Sequence, residues 1–200
     1  MYPVITISRE FGSGGHSIGE AVAKQLNIPF YDSELLVKAA KDSGLSEAVF
    51  KSFDEKKDGF LGNGIGLYSY DMTLSQKVFL AQFDTIKKIA AEESCVIVGR
   101  CADYGLRGNP NLVSVFICAP IEDKIERAVK YYDVDAKKAE SIILKKDKHR
   151  KSYYNFYTDR EWGKASNYDL CINSRVGIES AVDAIEAYVR RRFGIKKEDN

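Results

Sequence analysis

The sequence predicts an α/β fold in three layers, a mainly parallel sheet of about five strands with helices on both faces. Three apolar runs, at residues 4–8, 95–98 and 112–118, have the length and density of strands buried on both sides. Helical patterns follow the first and third runs, and an amphipathic helix closes the chain over residues 178–193. Ligands of such sheets sit at the carboxyl ends of the strands, so the loops that follow Ser8, Val98 and Asn173 are where a site is expected.

The elements follow in order. After the run at 4–8 comes the glycine cluster Gly12, Gly14 and Gly15, then a helix over 17–26 in which Ile18, Val22 and Leu26 recur every four positions with Ala21 beside them. Residues 28–31 read as a short extended piece and 33–40 as a second helix. From 42 to 73 the pattern weakens: Gly59, Gly62, Gly64 and Gly66 crowd a stretch that also holds Phe60, Leu67, Tyr68 and Tyr70, read as a mobile excursion over a site. A long helix is expected over 74–93, and the strand at 95–98 ends at Gly99 and Arg100. The strand at 112–118 leads through Ala119 and Pro120, suited to a helix start, into a helix over 121–131. Residues 135–160 form a helix heavy in Lys, Arg and Tyr, and 168–173 form a further strand. In the last helix Ile178, Val182, Ile185 and Val189 share one face.

The 200 residues contain no Pro/Gly/Ser-rich linker, which predicts a single domain over 1–200. An apolar share of 44%, a charged share of 30% and a net charge of +1 give no overall bias toward nucleic acid or membrane, so a partner must be sought in a local site. The chain runs straight into its first strand, with neither a signal peptide nor a membrane-spanning pattern, and a cytoplasmic location is expected. Cys95, Cys101, Cys118 and Cys171 lack the paired short spacing of a zinc or redox motif and read as buried thiols. A homodimer is compatible with the sequence, though no heptad seam specifies one.

The chemistry concentrates in residues 8–17, SREFGSGGHS, between the first strand and the first helix. A glycine-rich loop there wraps a phosphate in backbone amides, and the helix N-terminus favours the negative charge. Gly12, Ser13, Gly14, Gly15, His16 and Ser17 are the phosphate-binding candidates; a tight glycine turn without a ligand is the plainer reading. Set against the pattern G-x-x-x-x-G-K-[ST], Gly14 takes the second glycine, but Arg9 stands at the first and Gly15 where lysine belongs. Ser17, two places past the missing lysine, is the candidate metal-binding hydroxyl. His16 either supplies part of the missing lysine's charge or only caps or packs the helix start while Arg9, Arg150 and Mg²⁺ carry the charge.

The opening ITISREFGSGGHSIGEAVAKQLNIPFYD, residues 5–32, resembles the cytidylate kinase-like family of P-loop kinases, and the likeness runs along almost the whole chain. Three later stretches carry it further. Residues 98–104, VGRCADY, sit where related cytidylate kinases have a Gly-Arg-Asp segment that holds the acceptor nucleotide; Asp147 and Arg150 are spaced like the Asp and Arg of the lid; YDLCINS, residues 168–174, resembles the last strand. The resemblance implies a P-loop NTPase fold, three-layer α/β/α with a parallel five-stranded sheet, adenylate-kinase-like. It further implies an acceptor-side excursion at about 42–73 and a lid at about 135–165.

The resemblance also implies ATP and Mg²⁺ as cofactors and a small-molecule acceptor, first of all a nucleoside monophosphate such as CMP. His16, Arg150 and Asp147 become the catalytic candidates, and Arg9, Asp32, Arg100 and Asp103 the acceptor-binding ones. Plainer readings stand beside these: Arg100 as a surface ion-pair partner, Asp32 as a helix N-cap with Ser33, and Lys145, Lys146, Lys148, His149, Arg150 and Lys151 as a solvated basic face. Lys146 or Arg160 joins Arg150 as a lid cation. Tyr153, Tyr154, Phe156, Tyr157 and Trp162 either stack a base, including one in RNA, or pack. Residues 59–70 and 145–162 are expected as two mobile flaps. Two other functions fit the sequence: a nucleotide-binding regulatory protein without transfer activity, since the lysine is absent, and a kinase for another small metabolite.

Overall fold

The computed structural model describes residues 3–32, 34–42 and 68–196. The chain divides into two compact units, Met1–Phe30 with Glu93–Asn200, and Tyr31–Glu92.

In the first unit β1 (Val4–Arg9) leads through the glycine loop into α1 (Gly15–Leu26), and β2 (Phe30–Tyr31) falls where the chain passes to the second unit. The chain returns with β3 (Cys95–Val98), a single helical turn α4 (Ala102–Gly105), β4 (Leu112–Cys118), α5 (Ile121–Tyr132), α6 (Ala139–Tyr157), β5 (Leu170–Asn173) and α7 (Ile178–Phe193). The second unit supplies α2 (Glu34–Asp42) and α3 (Tyr68–Glu92). The five strands form one sheet in the order β2-β3-β1-β4-β5. The pairings of β1 with β3, β1 with β4 and β4 with β5 are all parallel.

Side-chain alternation decides what each strand faces. Ile5 and Ile7 of β1 lie opposite Val96 and Val98 of β3 and Val113 and Val115 of β4. These residues and Ile117 join Ile18 and Val22 of α1 and Val182, Ile185 and Val189 of α7 in one core, each nearly or fully buried. At about 1.5–3 kcal/mol for each fully buried Val or Ile side chain, this layer is the main source of the sheet's stability. The alternate residues of β1, Thr6 and Ser8, turn to the opposite face, where Phe116 packs against Tyr168 and Trp162 with ring centroids 5.1 and 5.3 Å apart.

In the second unit α2 packs on α3. Leu35, Ile86 and Ile89 are fully buried, and the Phe79 and Phe83 rings meet at a tilt, their centroids 4.3 Å apart.

Several expected boundaries shift for physical reasons. The helix expected over 135–160 is shorter: Asp135 Oδ1 accepts the Lys137 N–H at 2.9 Å in a turn before α6, and Thr158 is extended at φ −128°, ψ 160°. The last strand starts at Leu170 rather than 168; just before it Asp169 is tied to Ser114 of β4, donating its N–H to the Ser114 carbonyl at 2.8 Å and accepting the Ser114 N–H and hydroxyl on Oδ2 at 2.8 and 3.0 Å. Within the glycine-rich excursion, residues 43–67 lie outside the described residues; 68–73 are helical and belong to α3, which starts earlier than residue 74. Of the four thiols expected to be buried, Cys95 and Cys101 are, Cys118 is half-buried, and Cys171 is exposed on an outward position of β5. Among the described residues no helix is long and apolar enough to cross a membrane.

Candidate active site

At its carboxyl end β1 lies beside β4, with Arg9 opposite Ile117 and the Glu10 N–H donating to the Ile117 carbonyl at 3.0 Å. The chain then turns sharply through Gly12 (φ +76°) and Gly14 (φ +80°), the left-handed N-cap of α1. Gly12 is required twice over, since a Cβ there would also stand 2.7 Å from the Lys124 carbonyl oxygen. The loop is held from behind. Ser13 donates its N–H and hydroxyl to the Glu10 carbonyl at 3.3 and 2.8 Å, and Ser174 Oγ donates to the Ser13 carbonyl at 2.6 Å. Arg127 joins the loops after β1 and β5, donating to the Gly12 carbonyl at 3.5 Å and to Ser174 Oγ and its carbonyl at 3.2 Å each. The carbonyls of Glu10, Gly12 and Ser13 are thus occupied on the protein side. The first-turn amides of α1, from Gly15 onward, have no carbonyl within the helix to meet and lie at its positive end.

A buried charge cluster fixes the loop to the helices beside it. Lys124 projects from α5 with a side chain only 7% exposed; its ammonium donates to Glu10 Oε2 at 3.1 Å and to Asp147 Oδ2 at 2.6 Å. Asp147, on α6, accepts the Phe11 N–H on its other oxygen at 2.6 Å, and Glu10 Oε2 also accepts the Ala119 N–H at 3.2 Å. The loop after β1 and the helices α5 and α6 are therefore joined at one ammonium. Arg150, one turn along α6 from Asp147, donates to the Arg9 carbonyl at 2.9 Å, and its guanidinium lies 5.7 Å from the Phe11 ring centroid.

A second polar cluster lies under the sheet edge. Asp103, 3% exposed, accepts the Tyr154 hydroxyl at 2.6 Å, with Ser8 Oγ 3.5 Å from its other oxygen. Burial pushes the Asp103 carboxyl above the usual carboxylate range, outweighing the Tyr154 hydrogen bond and the Arg160 charge that favour ionisation. Burial, and then the Asp103 charge, raise the Tyr154 phenol and push Tyr168 up to about 12. The backbone above this cluster is strained: Gly99, Arg100 and Cys101 are successively left-handed at φ +80°, 56° and 54°, at the end of β3.

The expected site residues divide accordingly. Gly12, Ser13, Gly14, Gly15, His16 and Ser17 form one loop and helix start, but only His16 and Ser17 expose their side chains; the Ser13 hydroxyl is used within the loop. His16 packs edge-on to Phe30, with ring centroids 5.2 Å apart. Arg9, Asp147 and Arg150 meet at the loop. Arg100 is half-buried at the strained turn, while Asp103, two residues from Cys101, points inward to Tyr154. Asp32 stands in the other unit, where its carbonyl accepts the Leu35 N–H at 3.3 Å at the start of α2.

Of the basic run, Lys146 lies over the Phe11 ring at 4.7 Å and Lys151 pairs with Glu161 at 3.4 Å; Arg160 lies 5.9 Å over Tyr104. Among the aromatics Tyr154 and Trp162 pack inward, while Phe156 is exposed.

Sequence reasoning missed Lys124, Glu10, Arg127 and Ser174. One signal was present. Lys124 falls three residues after Ile121 and four before Ala128, on the apolar stripe of α5, and a charge on such a stripe calls for a buried partner.

Comparison with known proteins agrees with this architecture. An uncharacterized protein from Eubacterium ventriosum is 37% identical, with a TM-score of 0.74 over 94% of this chain and 98% of that one. Shikimate kinase from Bacteroides thetaiotaomicron (17% identity, TM-score 0.56, 94% and 98% covered) shares the fold, as does a gluconokinase from Sinorhizobium meliloti (14%, 0.54, 94% and 92%). No curated protein matches the chain. The model of the cytidylate kinase-like family matches residues 4–176, from the first strand to the turn after the last, and the chain belongs to that family.

Proposed function

We propose that this protein transfers the γ-phosphoryl group of ATP to a small acceptor, with a nucleoside monophosphate such as CMP the first to test. The observation that carries the reading is the loop itself: its carbonyls are tied back by Arg127, Ser13 and Ser174, and the amides opening α1 are left at the carboxyl edge of a parallel sheet. An acceptor oxygen attacks the γ-phosphorus, the bond to the β,γ-bridging oxygen breaks, and ADP leaves; a hydroxyl acceptor also gives up its proton. Positioned cations rather than a nucleophilic side chain serve such a reaction. Arg150, brought to the loop by α6, is one of them. Asp147 acts by holding the Phe11 amide and Lys124, which fixes the loop's shape.

The exposed Ser17 hydroxyl in the first turn of α1 fits Mg²⁺ of the kind that keeps several waters and takes its other ligands from phosphates. When bound, the ion would neutralise charge on the β- and γ-phosphates. Arg9, Asp32, Arg100 and Asp103 remain acceptor-side candidates from the family resemblance.

The test is ADP release with ATP and Mg²⁺ across a panel of nucleoside monophosphates, shikimate, gluconate and related small hydroxyl compounds. Acceptor-dependent ADP formation supports the reading. ATP binding by calorimetry without turnover on any acceptor would favour the regulatory alternative, and no binding at all would end the proposal.

A further inference from the structure

Two departures from the phosphate-loop pattern, Arg9 in place of the first glycine and Gly15 in place of the lysine, are one event in space. A Cβ on Gly15 would stand 2.5 Å from Arg9 Cβ and 3.0 Å from its Cγ, so only one of these two positions can carry a long side chain. We propose that Arg9 delivers, from the end of β1, the positive charge on the transferring phosphoryl group that the pattern takes from a lysine at the start of the helix. This rests on the phosphotransferase reading above.

The path of the side chain follows from strand alternation. Arg9 succeeds Ile5 and Ile7 on the face of the sheet that α1 covers, opposite Ile117, whose Cβ lies 3.4 Å from the same Cβ point on Gly15. From beneath the first residue of α1 the stem runs toward β3. There Cζ and Nη2 lie 3.2 and 3.7 Å from where a Cβ on Gly99 would sit, with Nη1 closer still. Gly99 also has φ +80°, a conformation that any side chain would strain.

Two glycines, one opening α1 and one ending β3, therefore clear a slot for a single guanidinium between the loops after β1 and β3. Those are two of the loops at the carboxyl edge where ligands of a parallel sheet bind. The main chain of Arg9 is fixed as well, through its carbonyl to Arg150 at 2.9 Å. A guanidinium suits the place: it stays charged at any working pH, and its planar fork matches phosphate oxygens. No proton moves and no covalent bond forms at Arg9; it stabilises charge spread over the phosphoryl oxygens.

The experiment compares wild type, Arg9→Met, Arg9→Gly and the exchange Arg9→Gly/Gly15→Lys, reading MgATP affinity by calorimetry and turnover on the best acceptor, with thermal melts as the fold control. Arg9→Met keeps the stem on Gly15 and Gly99 and removes only the charge. It should melt near wild type yet lose about 10²–10³-fold in kcat/KM, the scale for removing one transition-state donor. Arg9→Gly should lose as much, and the exchange should regain at least about tenfold over it, because lysine then enters the space that arginine left. A folded Arg9→Met with wild-type turnover and ATP affinity overturns the proposal, as does an exchange variant that is folded but no better than Arg9→Gly. Failure of the wild type to bind MgATP would instead defeat the phosphotransferase reading on which this rests.

Discussion

Replacing Lys124 by Met is the sharpest probe of how the loop is held. The thioether keeps most of the stem in its pocket and removes the ammonium from between Glu10 and Asp147, whose side chains are 25% and 13% exposed. Breaking a buried ion pair by deleting one partner costs about 3–5 kcal/mol, because the remaining charge stays behind without its counter-ion. Glu10 is a quarter exposed and can turn toward water, and Asp147 keeps the Phe11 N–H, so the low end of that range, about 3 kcal/mol, applies. For a chain of this length about 2–4 °C is lost per kcal/mol, which places the melting point about 6–12 °C below wild type.

Asp147→Asn in the same background should recover about half of the loss. The amide oxygen can still accept from Phe11, and the stranded charge is gone. Thermal melts and urea titrations of wild type, both single variants and the double variant give the coupling energy directly. A Lys124→Met protein that melts within about 2 °C of wild type would refute the reasoning, since a loss that small is the scale of an exposed pair. Additive effects of the two substitutions would refute it equally.

Three further outcomes follow from the same geometry. Asp103 has its folded-state carboxyl held above the unfolded value of about 3.9, so its contribution to stability is full below that pH and is lost as pH rises through the folded value. The stability of wild type minus that of Asp103→Asn should therefore fall as pH rises above about 4 in denaturant titrations; a flat difference would contradict the buried carboxyl. Arg127→Met removes the tie between Gly12 and Ser174 and should cost about 1–2 kcal/mol of stability while weakening ATP binding, both readable in one series of melts with and without nucleotide; equal ligand-induced shifts in variant and wild type would disconnect that tie from the site. His16→Ala should change ATP affinity by less than about threefold, under ~0.7 kcal/mol, if the ring only packs on Phe30 and Arg9 carries the charge; a tenfold loss by calorimetry, restored by His16→Lys, would return the lysine-substitute role to His16.

What the sequence determined by itself is the material that repeats at short range. Continuous apolar runs marked the strands Cys95–Val98 and Leu112–Cys118, the 3.6-residue period marked the helix Ile178–Phe193, and the glycines between Val4–Arg9 and Gly15–Leu26 marked the loop that joins strand to helix. The family resemblance added Asp147 and Arg150, because their spacing on one helix is itself a short-range pattern. Tertiary structure decided how those residues are used. Lys124 meets residues 114 positions before it and 23 after it, and Asp103 meets Tyr154 51 positions on; no local period reports such pairs. Asp103, an acceptor-side candidate by resemblance, is buried and accepts the Tyr154 hydroxyl of α6, a contact that its local sequence does not report. The two oddities at positions 9 and 15 looked in the sequence like a degraded motif. Only the approach of α1 to the end of β1, which brings one residue's Cβ onto the other's, turns two apparent losses into one exchange.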